Sequence, residues 1–302
     1  MTRYPTIALA LAAILGQSAH ASAAVQATAG PAPLQLGDLQ EQLRRDGRVA
    51  LARMGVIIET ADFDFEGVRV EAILARPSED GRRAGLLLVP GHSRTAYDML
   101  PQAIRFARAG FATVAVSQPG YGGSAGPADF AGPRTFAALR LASERLAALP
   151  FVDPARLGIY GYSRGALAAA ELAARTDLFR AAVLGGGIYD FRSALQQVTL
   201  SGIRQNMESE AGLSEEAVRF RSPIRDMEGL DGPVLIIHGE LDQNAPLAQA
   251  RALSERLTEI GREHELMIIA GGTHALGMAD VVVPATAFFT RHLRSREASA
   301  GR

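Results

Sequence analysis

A serine, an aspartate and a histidine each follow a short apolar run in this chain, and together they could perform nucleophilic catalysis. Ser163 lies within residues 161–165 (Gly-Tyr-Ser-Arg-Gly), between the apolar run 157–160 and an Ala/Leu-rich segment. This G-x-S-x-G pattern predicts a sharp turn from strand to helix, which holds the serine hydroxyl above a sheet and beside free helix N–H groups. A serine hydroxyl is a poor nucleophile at neutral pH and needs a base that a carboxylate orients.

A second copy of the same pattern lies at residues 122–126 (Gly-Gly-Ser-Ala-Gly) and contains Ser124. Pro119 and Pro127 flank this copy, and its glycines and prolines prevent a helix from starting directly after it. A strand before and a helix after are predicted for Ser163 alone. We therefore predict Ser163 as the nucleophile, and we interpret Ser124 as a loop residue that lines the site or is merely structural.

The acid and the base are expected after late strands. Asp242 comes shortly after the apolar run 234–237, and His274 follows the run 266–269 through a pair of glycines. Parallel strands end at one edge of a sheet, so both loops are expected beside Ser163. Since the histidine takes the serine proton and the acid orients the histidine, we predict His274 as the base and Asp242 as the acid.

The loop that holds Asp242 permits two other interpretations. An aspartate before a helix is often a cap or turn residue, which would leave Glu240 or Asp190 as the acid. His238, Glu240 and Asp242 could also bind a metal ion, but no further ligand cluster accompanies them, and we expect no metal site. His238 is interpreted as a structural hydrogen-bonding residue at the end of its strand.

Acyl transfer also requires two fixed N–H donors for the oxyanion. The backbone of Arg164, the residue after the nucleophile, supplies one, and the loop after the run 86–89 is expected to supply the other. Gly91 lets the backbone approach there, so the N–H of His92 or Ser93 is the candidate. The residues that we expect to line the site are Gly91, Tyr121, Tyr162 and Ser124. The Arg164 side chain could attract an acidic substrate group, but a solvated or ion-paired guanidinium is the favoured interpretation.

The elements that position these residues alternate along the chain. Short apolar runs predict strands at 86–89, 113–116, 157–160, 182–184, 234–237 and 266–269. Helical patterns occupy 97–109, 134–149, 166–175, 248–260 and 281–294. Such alternation predicts right-handed βαβ units and a doubly wound, mostly parallel sheet, with strands buried on both faces. Before this region, apolar and polar residues alternate at 56–65 and 68–75. This pattern predicts an antiparallel hairpin around Glu66-Gly67.

One interval, residues 188–232, lacks an apolar strand run and contains only amphipathic pieces. Ligands in open α/β sheets bind beyond the carboxyl ends of the strands, and an insertion after the run 182–184 would lie there. We therefore predict a small helical cap over Ser163. The alternative is a surface insertion without a functional role.

Residues 1–23 are predicted to be a signal peptide, because Arg3 precedes an apolar run too short to span a bilayer and small residues follow it. Its cleavage would make the protein periplasmic or extracellular, without a membrane span; an uncleaved anchor or a tail is the alternative. Residues 24–54 are interpreted as a flexible leader and an amphipathic helix broken at Gly47. That helix would pack on the domain, or contribute to a partner contact.

Composition excludes several classes of partner and chemistry. The 31 Lys and Arg residues nearly balance the 32 Asp and Glu residues, which argues against a nucleic-acid or anionic-membrane partner. The chain has no cysteine, so a disulfide scaffold, a thiolate metal site and a cysteine nucleophile are excluded. No residue pattern specifies an oligomeric state.

With these residues placed, the sequence resembles the α/β-hydrolase superfamily, and within it the catalytic domain of the prolyl oligopeptidase-like (S9) serine hydrolases. Besides residues 161–165, the similar segments are 118–124 (Gln-Pro-Gly-Tyr-Gly-Gly-Ser), 151–158 (Phe-Val-Asp-Pro-Ala-Arg-Leu-Gly), Ser222-Pro223 and His238-Gly239-x-x-Asp242. The resemblance covers roughly residues 85–294. It implies an α/β-hydrolase fold over residues 55–296, a Ser163–Asp242–His274 triad, and no metal or organic cofactor.

Departures from the family pattern bear on the substrate. Ala166 stands where the family commonly has a further glycine, and the Gly91 loop lacks the tyrosine that prolyl oligopeptidases offer to the oxyanion. The residues before the hairpin are too few for a β-propeller. We expect a small ester or short peptide substrate that forms an acyl-enzyme. The alternatives are a carboxylesterase without peptidase activity and a non-catalytic hydrolase-like binding protein.

Overall fold

The computed structural model describes residues 35–293, so the predicted signal peptide (1–23) and residues 24–34 of the predicted leader lie outside the described residues. The strands are β1 (Arg48–Leu51), β2 (Val56–Thr60), β3 (Phe63–Phe65), β4 (Val68–Val70), β5 (Ala72–Pro77), β6 (Arg83–Val89), β7 (Ala112–Val116), β8 (Val152–Tyr162), β9 (Ala181–Gly185), β10 (Val234–Gly239) and β11 (His264–Ile269). The helices are α1 (Leu36–Asp46), α2 (Leu100–Arg108), α3 (Pro133–Ala147), α4 (Arg164–Arg175), α5 (Phe191–Gln197), α6 (Ser201–Asn206), α7 (Glu215–Phe220), α8 (Leu247–Glu259) and α9 (Met278–His292).

The main sheet of the described residues has nine strands in the order β1-β2-β5-β7-β6-β8-β9-β10-β11. Strands β7, β6, β8, β9, β10 and β11 are parallel, and β1, β2 and β5 join one side of them as antiparallel strands. The predicted doubly wound, mostly parallel α/β-hydrolase sheet is thus confirmed. Strand β11 departs from the expectation of burial on both faces: it lies at the sheet edge, and each of its residues is at least partly exposed.

Helices cover both faces of the sheet because successive strand side chains point in opposite directions. Leu87 and Val89 of β6 face the layer that contains α3, α4 and α8. Leu86 and Leu88 face the layer that contains α1, α2 and α9. The sheet order turns at β6, where β7 pairs on one side and β8 on the other, and ligands bind at such a switch point.

The predicted N-terminal hairpin is present but divided between two sheets. Its outer parts, β2 and β5, pair in the main sheet, whereas β3 and β4 form a separate two-stranded sheet. Glu66 and Gly67 connect β3 and β4, and both have positive φ (54° and 77°), as a tight hairpin turn requires.

The broken helix predicted for residues 36–54 is only partly right. Helix α1 ends at Asp46, where Gly47 adopts a left-handed conformation (φ 69°) and its N–H bonds the carbonyl oxygen of Leu43. The chain then forms β1, whose Val49 pairs with Ile58 of β2, so this segment is a strand and not a helix. Leu39 and Leu43 of α1 are buried in the domain core, in agreement with the packing interpretation.

The interval 188–232 is helical, with α5, α6, a π-helical turn (Met207–Ala211) and α7 in sequence. Phe191, Ala194, Met207 and Val218 of this insertion are buried in the same core as α4. The insertion is therefore packed on the side of the sheet that carries the helix after Ser163. In the part of the chain that the structure describes, no helix is long and apolar enough to cross a membrane.

Candidate active site

The turn that carries Ser163 has strained backbone geometry. Ser163 precedes α4 with φ 57° and ψ −126°, a conformation that side-chain-bearing residues rarely adopt outside functional sites. A Cβ on Gly161 would lie 2.2 Å from the carbonyl oxygen of Gly165, and one on Gly165 would lie 2.1 Å from that of Val89. Both glycines of the pattern are thus required by close backbone approach, which fixes the serine hydroxyl at the carboxyl edge of the sheet.

Three polar side chains meet at this edge in a continuous hydrogen-bonded row. The Ser163 Oγ lies 2.8 Å from His274 Nε2, and His274 Nδ1 lies 2.8 Å from Asp242 Oδ2. A carboxylate can only accept, so Nδ1 carries the imidazole proton and Nε2 is free to accept from the serine hydroxyl. The structure therefore brings together all three residues predicted as nucleophile, base and acid, in an order that can move a proton away from Ser163 Oγ.

Burial and backbone donors hold the Asp242 carboxylate in place. Its side chain is fully buried, and its Oδ1 accepts hydrogen bonds of 2.9 Å from the N–H groups of Asn244 and Ala245. His274 is 22% exposed at its side chain, so the imidazole borders solvent on one side. The acid is thus fixed in the interior while the base remains accessible to a substrate.

The alternative acids have other partners. Asp190 caps α5 by accepting from the N–H of Ser193, and Glu240 accepts from the N–H of Gly271 at 2.8 Å. His238 is fully buried, with its Nε2 2.7 Å from the carbonyl oxygen of Ala245, which fits the structural interpretation. Within residues 35–293 there is no cluster of three or more histidine or carboxylate side chains able to hold a metal ion.

Ser124 has a structural role in the loop after β7. Its hydroxyl accepts from the N–H of Glu71 at 2.9 Å and donates to the carbonyl oxygen of Ser117 at 2.7 Å, and the residue is buried. These bonds use the hydroxyl to tie the loop to β5 and β7. Of the two interpretations of Ser124, these bonds favour the structural one.

The loop after β6 lies against the nucleophile. A Cβ on Gly91 would lie 3.1 Å from the Cβ of Ser163, so the predicted close approach of this backbone is present. Ser93 has a positive φ of 58°, and the Gln118 side-chain amide donates to the carbonyl oxygen of Pro90 at 2.7 Å. Gln118 therefore anchors the start of the loop that holds His92 and Ser93, a contact that the sequence analysis did not foresee.

Arg164 combines a backbone position in the first turn of α4 with a side chain in a buried polar cluster. Its Nη1 lies 3.0 Å from Glu210 Oε2, 2.5 Å from the Tyr121 hydroxyl and 3.2 Å from His92 Nδ1. The guanidinium also stacks on the Tyr121 ring, 4.0 Å from its centroid. The ion-paired interpretation of this side chain is thus the one observed. We call Arg164, Glu210, Tyr121 and His92 the arginine cluster.

Two contact residues of this site, Glu210 and Asn206, come from the insertion and were missed in the sequence analysis. Asn206 places its side-chain amide 3.2 Å from His92 Nε2, and Glu210 lies one π-helical turn later. No motif marks them, because their role depends on how the insertion packs. An acidic residue on an amphipathic piece is otherwise typical of a solvated face.

Burial sets the protonation of the aromatic groups at the site. It lowers the pKa of His92, with the Arg164 charge as a second cause, so that the imidazole is neutral and accepts from the guanidinium. Burial raises the pKa of Tyr121, as does its hydrogen bond to Glu210, and the hydroxyl donates to that carboxylate at 2.5 Å. Burial likewise raises the pKa of Tyr162, whose hydroxyl contacts the histidine loop.

Sequence relatives share most of this chain. The prolyl oligopeptidase family (Peptidase S9) matches residues 106–296. The uncharacterized peptidase YtmA of Bacillus subtilis (strain 168) is 30% identical over 231 residues, which are 72% of this chain and 86% of that protein. The uncharacterized peptidase YuxL of the same organism is 25% identical over 224 residues, 70% of this chain and 34% of that protein.

Solved structures show the same fold in larger proteins. A puromycin-hydrolyzing peptidase of Mycobacterium tuberculosis superposes with a TM-score of 0.70 at 22% identity, covering 78% of this chain and 39% of that one. An acylaminoacyl peptidase of Pyrococcus horikoshii gives a TM-score of 0.68 at 22% identity, covering 79% and 42%. The chain thus spans about two fifths of the length of these structures. The family match over more than half of the sequence, and the YtmA relationship, show that the chain is a serine-type enzyme that belongs to the prolyl oligopeptidase family.

Proposed function

We propose that this protein hydrolyses short peptides, aminoacyl amides and the corresponding esters through an acyl-enzyme on Ser163. The observation that carries the proposal is the unbroken row from Ser163 Oγ to His274 Nε2 and from His274 Nδ1 to Asp242 Oδ2, with 2.8 Å at each step. Membership of a family of serine peptidases supports the amide-cleaving reaction over cleavage of esters alone.

The reaction begins when His274 Nε2 takes the hydroxyl proton and Ser163 Oγ attacks the substrate carbonyl carbon. The carbonyl oxygen becomes an oxyanion, which the N–H of Arg164 and the N–H of His92 or Ser93 receive. His274 then gives the proton to the leaving nitrogen or oxygen, and the carbon–nitrogen or carbon–oxygen bond breaks. Water, activated by the same imidazole, attacks the acyl-enzyme and releases the acid. Asp242 holds the imidazole and stabilises its protonated form throughout.

We expect the insertion to limit the size of the acyl group. In residues 35–293 its side chains Asn206 and Glu210 reach the loop of His92 and the residue next to the nucleophile. We expect a substrate to lie between the insertion and the loops after β6 and β7. Two structural relatives, a puromycin-hydrolyzing peptidase and an acylaminoacyl peptidase, suggest aminoacyl amides as a first class of compound to test on this chain.

The proposal is tested by comparing p-nitrophenyl esters of several acyl lengths with aminoacyl and prolyl p-nitroanilides, using Ser163→Ala as the matched control. We expect turnover of both classes by the parent protein and of neither by the variant. Turnover of esters alone would support the carboxylesterase alternative. Absence of any turnover, with the protein folded, would support the non-catalytic binding protein.

Export is a separate proposal that rests on residues 1–23 alone. An apolar run behind Arg3 and the small residues after it are typical of a signal peptide. We expect the mature protein in the periplasm or outside the cell, with an N-terminus near residue 24. Fractionation and N-terminal sequencing of the expressed full chain test this, and an intact N-terminus in the cytoplasmic fraction would contradict it.

A further inference from the structure

One nitrogen atom, Arg164 Nη1, lies at the centre of the arginine cluster. It donates to the Tyr121 hydroxyl at 2.5 Å and to Glu210 Oε2 at 3.0 Å, and the Tyr121 hydroxyl donates in turn to Glu210 Oε1 at 2.5 Å. The three groups therefore form a closed triangle. His92 Nδ1, at 3.2 Å, attaches the loop after β6 to the same nitrogen.

The arginine cluster is buried, so the charge of Arg164 needs a counter-ion. The Arg164 side chain is 2% exposed and that of Glu210 is 19% exposed. Among residues 35–293, Glu210 is the acidic residue in ion-pair contact with Arg164. Removing one member of a buried ion pair leaves an uncompensated charge, which costs more than the pair itself contributed. Without Glu210, the guanidinium would have to move toward solvent.

Movement of this side chain would disturb both oxyanion donors. In the proposed mechanism the backbone N–H of Arg164 is one donor and the loop of His92 supplies the other. The Arg164 side chain contacts the ring of His92. The guanidinium thus connects two backbone segments whose separation sets the size of the oxyanion pocket. Oxyanion stabilisation depends on donors held 2.7–3.1 Å from the developing charge, so small displacements have large effects on rate.

We propose that Glu210, from the insertion, is a positioning residue for the oxyanion pocket and acts through Arg164. The inference rests on the proposed function, because it assigns the Arg164 N–H to the oxyanion. It gives the insertion a part in the chemical step, in addition to shaping the space for the substrate. Glu210 does not touch the reacting atoms.

The test compares Glu210→Gln with Glu208→Gln. Glu208 lies on the same π-helical turn but pairs with Arg204 in an exposed position, so it controls for loss of a charge from this segment. The substrate is p-nitrophenyl acetate, whose small acyl group limits contact with the insertion. Rates are expressed per active site, titrated from the burst of p-nitrophenol, so that unfolded protein does not count.

For Glu210→Gln we expect kcat to fall about 10- to 100-fold with KM changed less than about 2-fold, since removal of a whole oxyanion donor costs about 100- to 1,000-fold. Affinity for a trifluoromethyl ketone, whose hemiketal oxygen occupies the oxyanion pocket, should fall in parallel with kcat. Glu208→Gln should match the parent. A merely structural role would lower the melting temperature of Glu210→Gln and leave its kcat per active site unchanged, which would overturn the proposal.

A double variant gives a second, independent readout. Because Glu210 acts through Arg164, the losses from Glu210→Gln and Arg164→Met should not multiply, and the double variant should lose no more than the worse single variant. Multiplying losses would overturn the proposal, as would a change in KM alone. Absence of any p-nitrophenol release by the folded parent protein would refute the proposed function as well, whereas normal turnover by the parent with unaffected Glu210→Gln would refute this inference only.

Discussion

The Tyr162 hydroxyl donates a hydrogen bond to the main-chain carbonyl oxygen of His274 over 2.7 Å. Tyr162 directly precedes Ser163, so this bond joins the side chain beside the nucleophile to the backbone of the histidine loop. The Tyr162 and His274 rings also lie against each other, with centroids 5.8 Å apart. The Tyr162 side chain therefore helps to hold the base beside the nucleophile, in addition to their own hydrogen bond.

Replacing Tyr162 with Phe should loosen this link while retaining the ring. Loss of one hydrogen bond is expected to cost about 1 kcal/mol of unfolding free energy. The kcat for an ester substrate should fall several-fold with little change in KM, because the histidine loop is no longer tied to the turn. Urea unfolding and kcat per titrated active site measure the two effects. An unchanged kcat would show that the His274 loop is positioned by other contacts.

Replacing Asp242 with Asn should abolish most of the activity and leave the fold intact. The N–H groups of Asn244 and Ala245 require an acceptor at Oδ1, so the new amide would place its NH₂ group toward His274 Nδ1. A donor there forces the imidazole proton onto Nε2, where it blocks acceptance from Ser163. We expect a loss of about 10⁴-fold in kcat.

The matched control for this change is Asp190→Asn, at the cap of α5. This variant should keep the parent kcat, since Asp190 does not contact the histidine. Similar losses in the two variants would contradict the assignment of Asp242 as the acid.

Glu171, on the buried face of α4, should destabilise the fold at alkaline pH. The residue is 1% exposed, and neither carboxylate oxygen has a hydrogen-bond partner among the described residues. Burial raises the pKa of Glu171 well above its ordinary value of 4.5. At pH values above 4.5, the folded state therefore binds more protons than the unfolded state. Stability falls as the pH rises.

Glu171→Leu removes this cost, and we expect its urea midpoint to exceed that of the parent by more at pH 8 than at pH 5. The gain in unfolding free energy should be about 1–3 kcal/mol at pH 8, the usual cost of an unpaired buried polar group. An equal gain at both pH values would mean that the pKa of Glu171 is not raised in the folded state.

His238 should make the fold less stable in acid. The imidazole is fully buried and its Nδ1 has no hydrogen-bond partner within the described chain. Burial lowers the pKa of His238 below its ordinary value of 6.5. The unfolded state therefore binds a proton first as pH falls below 6.5, and stability declines from there toward the lowered pKa of the folded state.

The variant His238→Gln keeps a donor for the carbonyl oxygen of Ala245 but cannot titrate. Its unfolding free energy, measured in urea at pH 7 and pH 5, should decline less over this interval than that of the parent. An equal decline would assign the acid sensitivity elsewhere, for example to His92, whose pKa burial also lowers.

Most of the fold could be predicted because its strands and helices differ in apolar pattern. Strands β6, β7, β9 and β10 and residues 157–160 of β8 are short apolar runs buried on two faces. The helices between them bury an apolar face. The segment after Gly47 could not be assigned this way. Val49 and Leu51 fit a helix or a strand equally well. The segment is a strand because it pairs with β2, and no local sequence pattern indicates that pairing.

The candidate site was predictable only where chain order and motif specify it. Ser163 has a motif, and Asp242 and His274 follow strands at the same edge. Glu210 and Asn206 carry no comparable mark, because their contacts depend on how the insertion packs beside α4. The flanking prolines distinguish Ser124 from Ser163 in the sequence. The hydrogen bond that Ser124 accepts from the N–H of Glu71 could not be predicted from it.

The most direct test of the central claim is covalent labelling of the folded protein with a fluorophosphonate probe, followed by mass spectrometry of the modified peptide. The account predicts one adduct per chain, on Ser163, with no labelling of Ser163→Ala and strongly slowed labelling of His274→Ala. An adduct on Ser124, or persistent labelling of Ser163→Ala, would contradict it.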